Sequence, residues 1–242
     1  MEKYGIKIEA NPGRELYEDF GNVRYARFPV TTPIVNIGDS IQEFIQNYII
    51  TQAQKGDVIC ISAKVISICK ALVVHESEVK ISLLAKIIVK FVKKWPSDIG
   101  YSHPRKMQLA IDQVGYPRTI LALIIGTIMK LIGKPGYFYR VAGNNINAID
   151  GFNPVSKPPM NEYAVMPPKN GNRLCDEFEI EYGFPFVILD GNNIDNNILG
   201  MSKTARELYS IMDFMLIVKG NPQGQEDDGQ VTPVLLVRKA RF

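Results

Sequence analysis

Histidine and cysteine are scarce in this chain. His75 and His103 are the only histidines among 242 residues, and Cys60, Cys69 and Cys175 are the only cysteines. No Gly-x-Ser-x-Gly turn occurs and no cysteine has a papain-like setting, so a nucleophilic triad lacks both base and nucleophile. His103, ahead of Pro104 and Arg105 at a helix start, reads as a polar surface residue, and neither histidine is a site candidate. The cysteines have no metal-type spacing. Cys60 and Cys69 sit in a strongly apolar stretch where the thiol acts as a small hydrophobe, which suits a reducing cytoplasm. A dominant charge is also missing: 28 Lys and Arg against 25 Asp and Glu give +3, too little to argue for nucleic acid. The first residues, MEKYGIKIEANPGRE, carry charges throughout and do not form a secretory leader. The one membrane candidate, residues 120–132 (ILALIIGTIMKLI), is short of the ~20 residues a span needs and contains Lys130, so a buried segment is expected and no transmembrane segment.

What is present is an ordinary globular composition, 46% apolar, enough for one large domain or two small ones. Residues 58–61 (VICI), 186–189 (FVIL), 214–218 (FMLIV) and 234–237 (VLLV) read as buried strands. Helical patterns fall at 40–51, 78–95, 104–114 and 204–212, with Ser40 and Ser202 as caps. The second pattern sets Leu84, Ile87, Ile88, Phe91, Val92 and Trp95 at helical spacing with lysines between them. It is expected to pack on the core with its lysines snorkelling; a basic amphipathic helix on an anionic membrane is the other reading. The mixture is α/β, or α+β. The Pro- and Asn-dense segment 151–168 predicts an irregular loop joining two lobes, the second half beginning near Lys169.

In open α/β sheets ligands bind beyond the carboxyl ends of strands. Polar clusters lie at such places: Asp190-Gly191-Asn192-Asn193 after FVIL, residues 141–150 leading through Asp150 into 151–153, and residues 219–229 after FMLIV. Asp150 and Asp190 carry the hard oxygen donors that Mg²⁺ and Mn²⁺ prefer. On local pattern alone each is better explained as a turn residue. The glycine-rich stretch 219–229 matches neither GxxxxGK[ST] nor GxGxxG before a helix, and on its own reads as an acidic hairpin.

The order of these clusters resembles the F420-0:γ-glutamyl ligase family. Residues 56–67 (GDVICISAKVIS) resemble its early strand and turn, residues 103–112 (HPRKMQLAID) its Pro-Arg helix opening, and residues 147–153 (NAIDGFN) its Asn-Ala-Gly-Ile-Asp signature. Asp190 falls at its strand-terminal Asp, and residues 224–233 resemble its closing glycine-rich loop. The resemblance runs from about residue 33 to 238, leaving residues 1–32 as an N-terminal extension to a domain spanning 33–242. It implies a two-lobed domain with mixed sheets, paired in a homodimer. The implied activity is that of a cytoplasmic ligase using GTP and Mg²⁺ or Mn²⁺ to join L-glutamate to the carboxylate of coenzyme F420-0, or a related acceptor, through an acyl phosphate. Phosphoryl transfer of this kind needs positioning and charge neutralisation, which suits a site without histidine. Carried over by position, Asp150, Asp190 and Gln225 would hold metal, and Asn36, Ala63, Lys64, Asn153, Gly224, Gln225 and Gly229 would contact nucleotide; no catalytic residue is assigned.

There are departures. Gly191 and residues 192–195 (NNID) stand where the family has a Thr-like ligand and then a Gly-Arg pair, and Ile68 replaces an expected lysine. Lys64 or Lys70 would then reach the phosphates, and Arg140 would supply the missing charge. Two other classes compete: a non-catalytic nucleotide- or small-molecule-binding descendant, recognised by binding without turnover, and a membrane-associated or oligomeric structural role for residues 120–132, recognised by salt-sensitive sedimentation with anionic vesicles.

Overall fold

The structure is a computed structural model that describes residues 4–90, 92, 102–134, 136–143, 149–152, 160–191, 196–224 and 231–240. The chain divides into two units, Met1–Ala71 with Pro168–Phe242, and Leu72–Pro167. The architecture is α/β with mixed sheets.

The first unit is built on a seven-stranded sheet, counted among the described residues. Its strands are β1 (Gly5–Ile6), β2 (Tyr17–Phe20), β3 (Val23–Thr31), β4 (Val58–Ser62), β7 (Phe186–Gly191), β8 (Asn196–Met201) and β9 (Val234–Lys239), ordered β1-β3-β9-β4-β7-β8 with β2 also paired to β3. Three strands therefore come from residues 1–32. The β-branched and aliphatic runs of β4, β7 and β9 are buried on both faces, which is why they show no polar alternation. Val58, Cys60, Val187, Leu189, Leu235 and Val237 point to one face, where Phe214, Ile217 and Ala205 cover them. On the opposite face, set by the two-residue period of a strand, Phe178 of helix α7 (Gly171–Tyr182) packs with its ring 5.4 Å from that of Phe186.

One strand expectation is overturned. Residues 214–218 lie in a helix, α9 (Ile211–Ile217), and its C-cap rather than in a strand. Ser210 caps it by accepting the Asp213 N–H at 3.1 Å, and Phe214, Ile217 and Val218 are buried at helical spacing while Met212 and Leu216 are exposed. A short apolar run does not by itself distinguish a strand from a helix face; the Ser-x-x-Asp start does. The pattern at 204–212 likewise divides between α8 (Lys203–Leu208) and α9. The remaining helices of this unit are α1 (Ile41–Phe44), continuing as a π-helical turn over Ile45–Ile50, and α2 (Ala63–Cys69).

Around a two-stranded sheet of β5 (Val73–His75) and β6 (Tyr163–Val165), the second unit holds α3 (Leu83–Ile88), α4 (Pro104–Val114), α5 (Tyr116–Leu131) and α6 (Tyr137–Ala142). Its core is Ala85, Ile88, Met107, Ile111, Ala122, Ile149, Phe152 and Ala164 with their neighbours. Helix α4 spans the predicted range, opening on Pro104 at its first turn and ending at Gly115, whose φ of 88° suits glycine. The single helix expected over 78–95 is shorter: helix covers Leu83–Ile88, a 3₁₀ turn covers Glu76–Glu78, and residues 91 and 93–95 lie outside the described residues. Residues 120–131 are helical, yet the burial expected over 120–132 is found on one side only, at Ala122 and in part at Leu123, Ile125 and Met129. Ile120, Leu121, Ile124, Ile128, Leu131 and Ile132 are all exposed.

Candidate functional site

Within the first unit, the sheet brings four separate stretches to one edge. Across β3, β9, β4 and β7, Val30 faces Val234, Val234 faces Ile61, and Ile61 faces Ile188. Strands β3, β4 and β7 run in one direction and β9 in the other. Moving past that row, the chain therefore leaves β3 into Thr32 and residues 33–36 and β4 into Ala63 and Lys64, and reaches Asp190 near the end of β7, while it enters β9 from Thr232 and Pro233. Thr32 N–H donates to the Val231 carbonyl at 3.0 Å and Ser62 N–H to the Pro233 carbonyl at 2.9 Å, extending the ladder to that edge. Adjacent strands lie ~4.8 Å apart, so Ala63 and Asp190, each ending one of a parallel pair, are immediate neighbours along the edge.

Buried polar groups secure the loops there. Asn11 Nδ2 donates to Thr232 Oγ1 at 2.8 Å and to the Pro222 carbonyl at 3.0 Å. Gly224 N–H donates to the same Thr232 Oγ1 at 2.9 Å, and Gln223 Nε2 to the Pro233 carbonyl at 2.6 Å. Asn11, Asn221, Gln223 and Thr232 are all buried, and a buried polar group left unpaired is costly, so these bonds hold residues 221–224 against the start of β9. On the neighbouring loop, Asn36 N–H donates to Asp39 Oδ2 at 2.7 Å, and Gly38 N–H donates to the Ile68 carbonyl at 3.2 Å, tying residues 36–39 to the end of α2. Asn36 is exposed, Ala63 buried, and Lys64 half-buried in the first turn of α2.

Asp190 is half-buried, its backbone paired with Asn197. The following Gly191 is closely packed. A Cβ there would lie 2.7 Å from both Asn196 Oδ1 and Asn221 Oδ1, so a threonine at this position would require those two buried amides to shift. Asn196 in turn donates Nδ2 to the Val218 carbonyl at 2.6 Å, linking β8 to the end of α9. Residues 192–195 lie outside the described residues, as do Asn153, Gln225 and Gly229.

Asp150 belongs to the second unit. It is exposed and forms an antiparallel bridge with Val165: Asp150 N–H donates to Val165 O at 3.1 Å and Val165 N–H to Asp150 O at 2.6 Å. Phe152 N–H donates to the Tyr163 carbonyl at 3.2 Å, with φ of 35° at Phe152. The opening of α4 packs onto this segment. The His103 ring lies 5.7 Å from the Phe152 ring, and a Cβ on Gly151 would stand 3.0 Å from Lys106 Cδ. His103 is therefore half-buried rather than a surface residue, and burial first, then the Arg105 charge, lowers its pKa. Arg140 is exposed and stacks on Tyr137 at 5.1 Å, and Lys70 is exposed at the end of α2. Burial raises the Cys60 thiol far above its usual range, Cys69 to about 11 and Cys175 to about 12, so none is a thiolate near neutrality.

The Gly-Asp-Val start of β4 has a structural use. Asp57, fully buried, takes a two-pronged ion pair from Arg238 on β9, Nε to Oδ1 at 2.6 Å and Nη2 to Oδ2 at 2.8 Å, and also accepts the Gln54 N–H at 2.9 Å. Sequence reasoning singled out residues 219–233 but not Asn11, nor the bonds that Asn11, Gln223 and Thr232 make, because partners lie up to 221 positions away.

Residues 29–177 match the F420-0:Gamma-glutamyl ligase family. The match covers more than half of the chain, and the chain belongs to that family. It takes in the ends of β3 and β4, the start of α4 and Asp150, and stops before β7. No curated protein matches the chain.

Proposed function

We propose that this protein is a GTP- and divalent-metal-dependent ligase that adds L-glutamate to the carboxylate of coenzyme F420-0 or a related acceptor. The observation that carries the reading is the meeting of residues 33–36, Ala63 and Lys64, Asp190, and the 221–224 loop at one sheet edge, in a member of the F420-0:Gamma-glutamyl ligase family. Backbone groups and Lys64 at that edge suit a nucleotide's phosphates, with Asn36, Asn153, Gly224, Gln225 and Gly229 as further contacts.

The carboxylates of Asp150 and Asp190 and the amide oxygen of Gln225 are the residues that would hold Mg²⁺ or Mn²⁺. The donor chemistry fits, since one or two carboxylates completed by substrate phosphates suffice for such an ion, although no group of three acidic, His or Cys side chains occurs among the described residues. A bound ion would neutralise charge on the transferred phosphoryl group. The chain's own part is positioning: the acceptor carboxylate attacks the γ-phosphorus of GTP and releases GDP, and the glutamate amine then attacks the acyl phosphate and releases phosphate.

Calorimetric titration of GTP with and without Mn²⁺, against the wild type, Asp150→Asn and Asp190→Asn, tests this reading. Metal-dependent binding weakened by each substitution, with glutamylated product found by mass spectrometry, is the expected result; no GTP binding under either condition overturns it. The tight packing around Gly191 favours a second reading, a non-catalytic nucleotide-binding descendant, because it removes one side-chain ligand. GTP binding without phosphate release across carboxylate and amine substrates would select that one.

A further inference from the structure

The carbonyls at the end of α9 are satisfied from far away in the chain. The last carbonyls of a helix have no partner inside it, and here side chains from other parts of the first unit take them. Arg27 Nη1, from β3, donates to the Ile217 carbonyl at 3.3 Å and to the Lys219 carbonyl at 2.8 Å. Asn196 Nδ2, from β8, donates to the Val218 carbonyl between them at 2.6 Å. Arg14 Nη1 then holds the Gly220 carbonyl at 3.0 Å, and Asn11 Nδ2 the Pro222 carbonyl at 3.0 Å.

The clamp is built around a buried cation. Arg27 is 2% exposed, and its other arm, Nη2, donates to the Glu15 carbonyl at 2.5 Å. A guanidinium presents its donors in a rigid fork, so this one side chain fixes Glu15, Ile217 and Lys219 relative to one another. Glu18 lies between the two cations, 3.7 Å from Arg27 Nη1 and 2.8 Å from Lys219 Nζ. What the clamp holds is strained. Asn221 has φ of 43°, a left-handed conformation that costs a residue other than glycine and persists only where the surroundings impose it. The bonds to Gly220 and Pro222, one on each side, impose it here. In that conformation Asn221 is fully buried, and its Oδ1 reaches within 2.7 Å of where a Cβ on Gly191 would stand, beside Asp190.

We propose that Asn11, Arg14 and Arg27 are positioning residues for the candidate nucleotide edge. They hold residues 217–224 in the conformation that sets Asn221 beside Gly191 and Gly224 against Thr232. Asn11 does the second directly, since the amide that holds the Pro222 carbonyl also donates to Thr232 Oγ1, which accepts the Gly224 N–H. All three residues lie ahead of residues 29–177, so the family match does not include them. The role rests on the ligase reading of that edge. Loosening the clamp lowers the fraction of molecules competent to bind, and the apparent affinity falls with that fraction.

Arg27 is too buried to remove cleanly, whereas Arg14 is half-buried and holds a single carbonyl of the clamp. The test is calorimetric titration of GTP with Mn²⁺ against the full-length wild type, Arg14→Ala, Asn11→Ala and Arg24→Ala, with amide hydrogen exchange over residues 214–224 and a melting temperature for each. Arg24→Ala is the control: it removes the same charge from the same part of the chain, where the guanidinium pairs with Asp19 at 2.7 Å. Arg14→Ala and Asn11→Ala are expected to exchange faster over 217–224 and to bind GTP about tenfold more weakly, with Arg24→Ala like the wild type in both. Should Asn11→Ala melt early, Arg14→Ala decides. Unchanged exchange, wild-type affinity in the clamp variants, or an equal loss in Arg24→Ala overturns the proposal while leaving the ligase reading in place. A wild type that binds no GTP overturns the ligase reading, and the positioning role falls with it.

Discussion

Asp57 and Arg238 show how a single residue pair can hold a sheet together. The carboxylate is fully buried, and both of its oxygens are engaged by one guanidinium from the neighbouring strand. Removing the cation leaves a charge in an apolar interior, which costs far more than the pair contributes when intact. Arg238→Ala is expected to destabilise the fold by about 3 kcal/mol, read from urea unfolding, and Asp57→Asn/Arg238→Met by clearly less. Gly191 sets the opposite constraint. Restoring a threonine there drives its Cβ into Asn196 and Asn221, so Gly191→Thr is expected to lower stability by about 1–3 kcal/mol and to fail to improve metal binding in the same titration used for Asp190→Asn. At His103 the direction of the pKa matters. Burial lowers it in the fold, so the unfolded chain takes up the proton first. The neutral imidazole's contribution is intact above the unfolded value of about 6.5 and is lost as pH falls through the lower folded value. Thermal unfolding midpoints measured downward from pH 7.5 are expected to fall more steeply in wild type than in His103→Gln.

At the scale of elements, α9 is the instructive case. Its residues FMLI satisfy a strand's composition, and only the cap at Ser210 and the 214, 217, 218 spacing of buried positions separate helix from strand. Ser210→Ala is expected to cost about 1 kcal/mol, seen as a fall of roughly 2–4 °C in melting temperature. By contrast, β4, β7 and β9 lie where the runs VICI, FVIL and VLLV predict strands, and the β-branched residues of these runs favour that reading. Helix α4 was equally plain, with proline at its start and glycine at its end. Helix α5 was recognisable as apolar, but its periodicity did not reveal which way it faced. Apolar residues on both of its sides made burial the natural reading, and only the position of α6 shows which side is covered and which, among the described residues, is left to solvent.

The whole molecule combines one large mixed sheet with a smaller, more basic unit inserted between Ala71 and Pro168. If the sheet edge carries a guanine nucleotide, binding must stabilise the folded chain through mass action. GTP with Mn²⁺ at a hundred times its dissociation constant is expected to add about 2.7 kcal/mol, measured as a rise in melting temperature that EDTA reverses. An unchanged melting temperature at millimolar GTP and Mn²⁺ would remove the nucleotide from that edge.

Local chemistry alone determined three of the four strands read from it, the start and end of α4, and the family, because strand hydrophobicity, helix caps and short ordered motifs are written in neighbouring residues. It also marked Asp190 as the end of a strand worth inspecting, while Ala63 and Lys64 entered through the family resemblance. Tertiary structure decided what those ends have in common. The antiparallel insertion of β9 between β3 and β4 brings residues from 32 to 232 to one edge, and no local pattern encodes which strand will lie beside which. It also decided that Gly191 lies against the buried amides of Asn196 and Asn221 and that α5 turns an aliphatic face outward, since both depend on atoms supplied by distant parts of the chain.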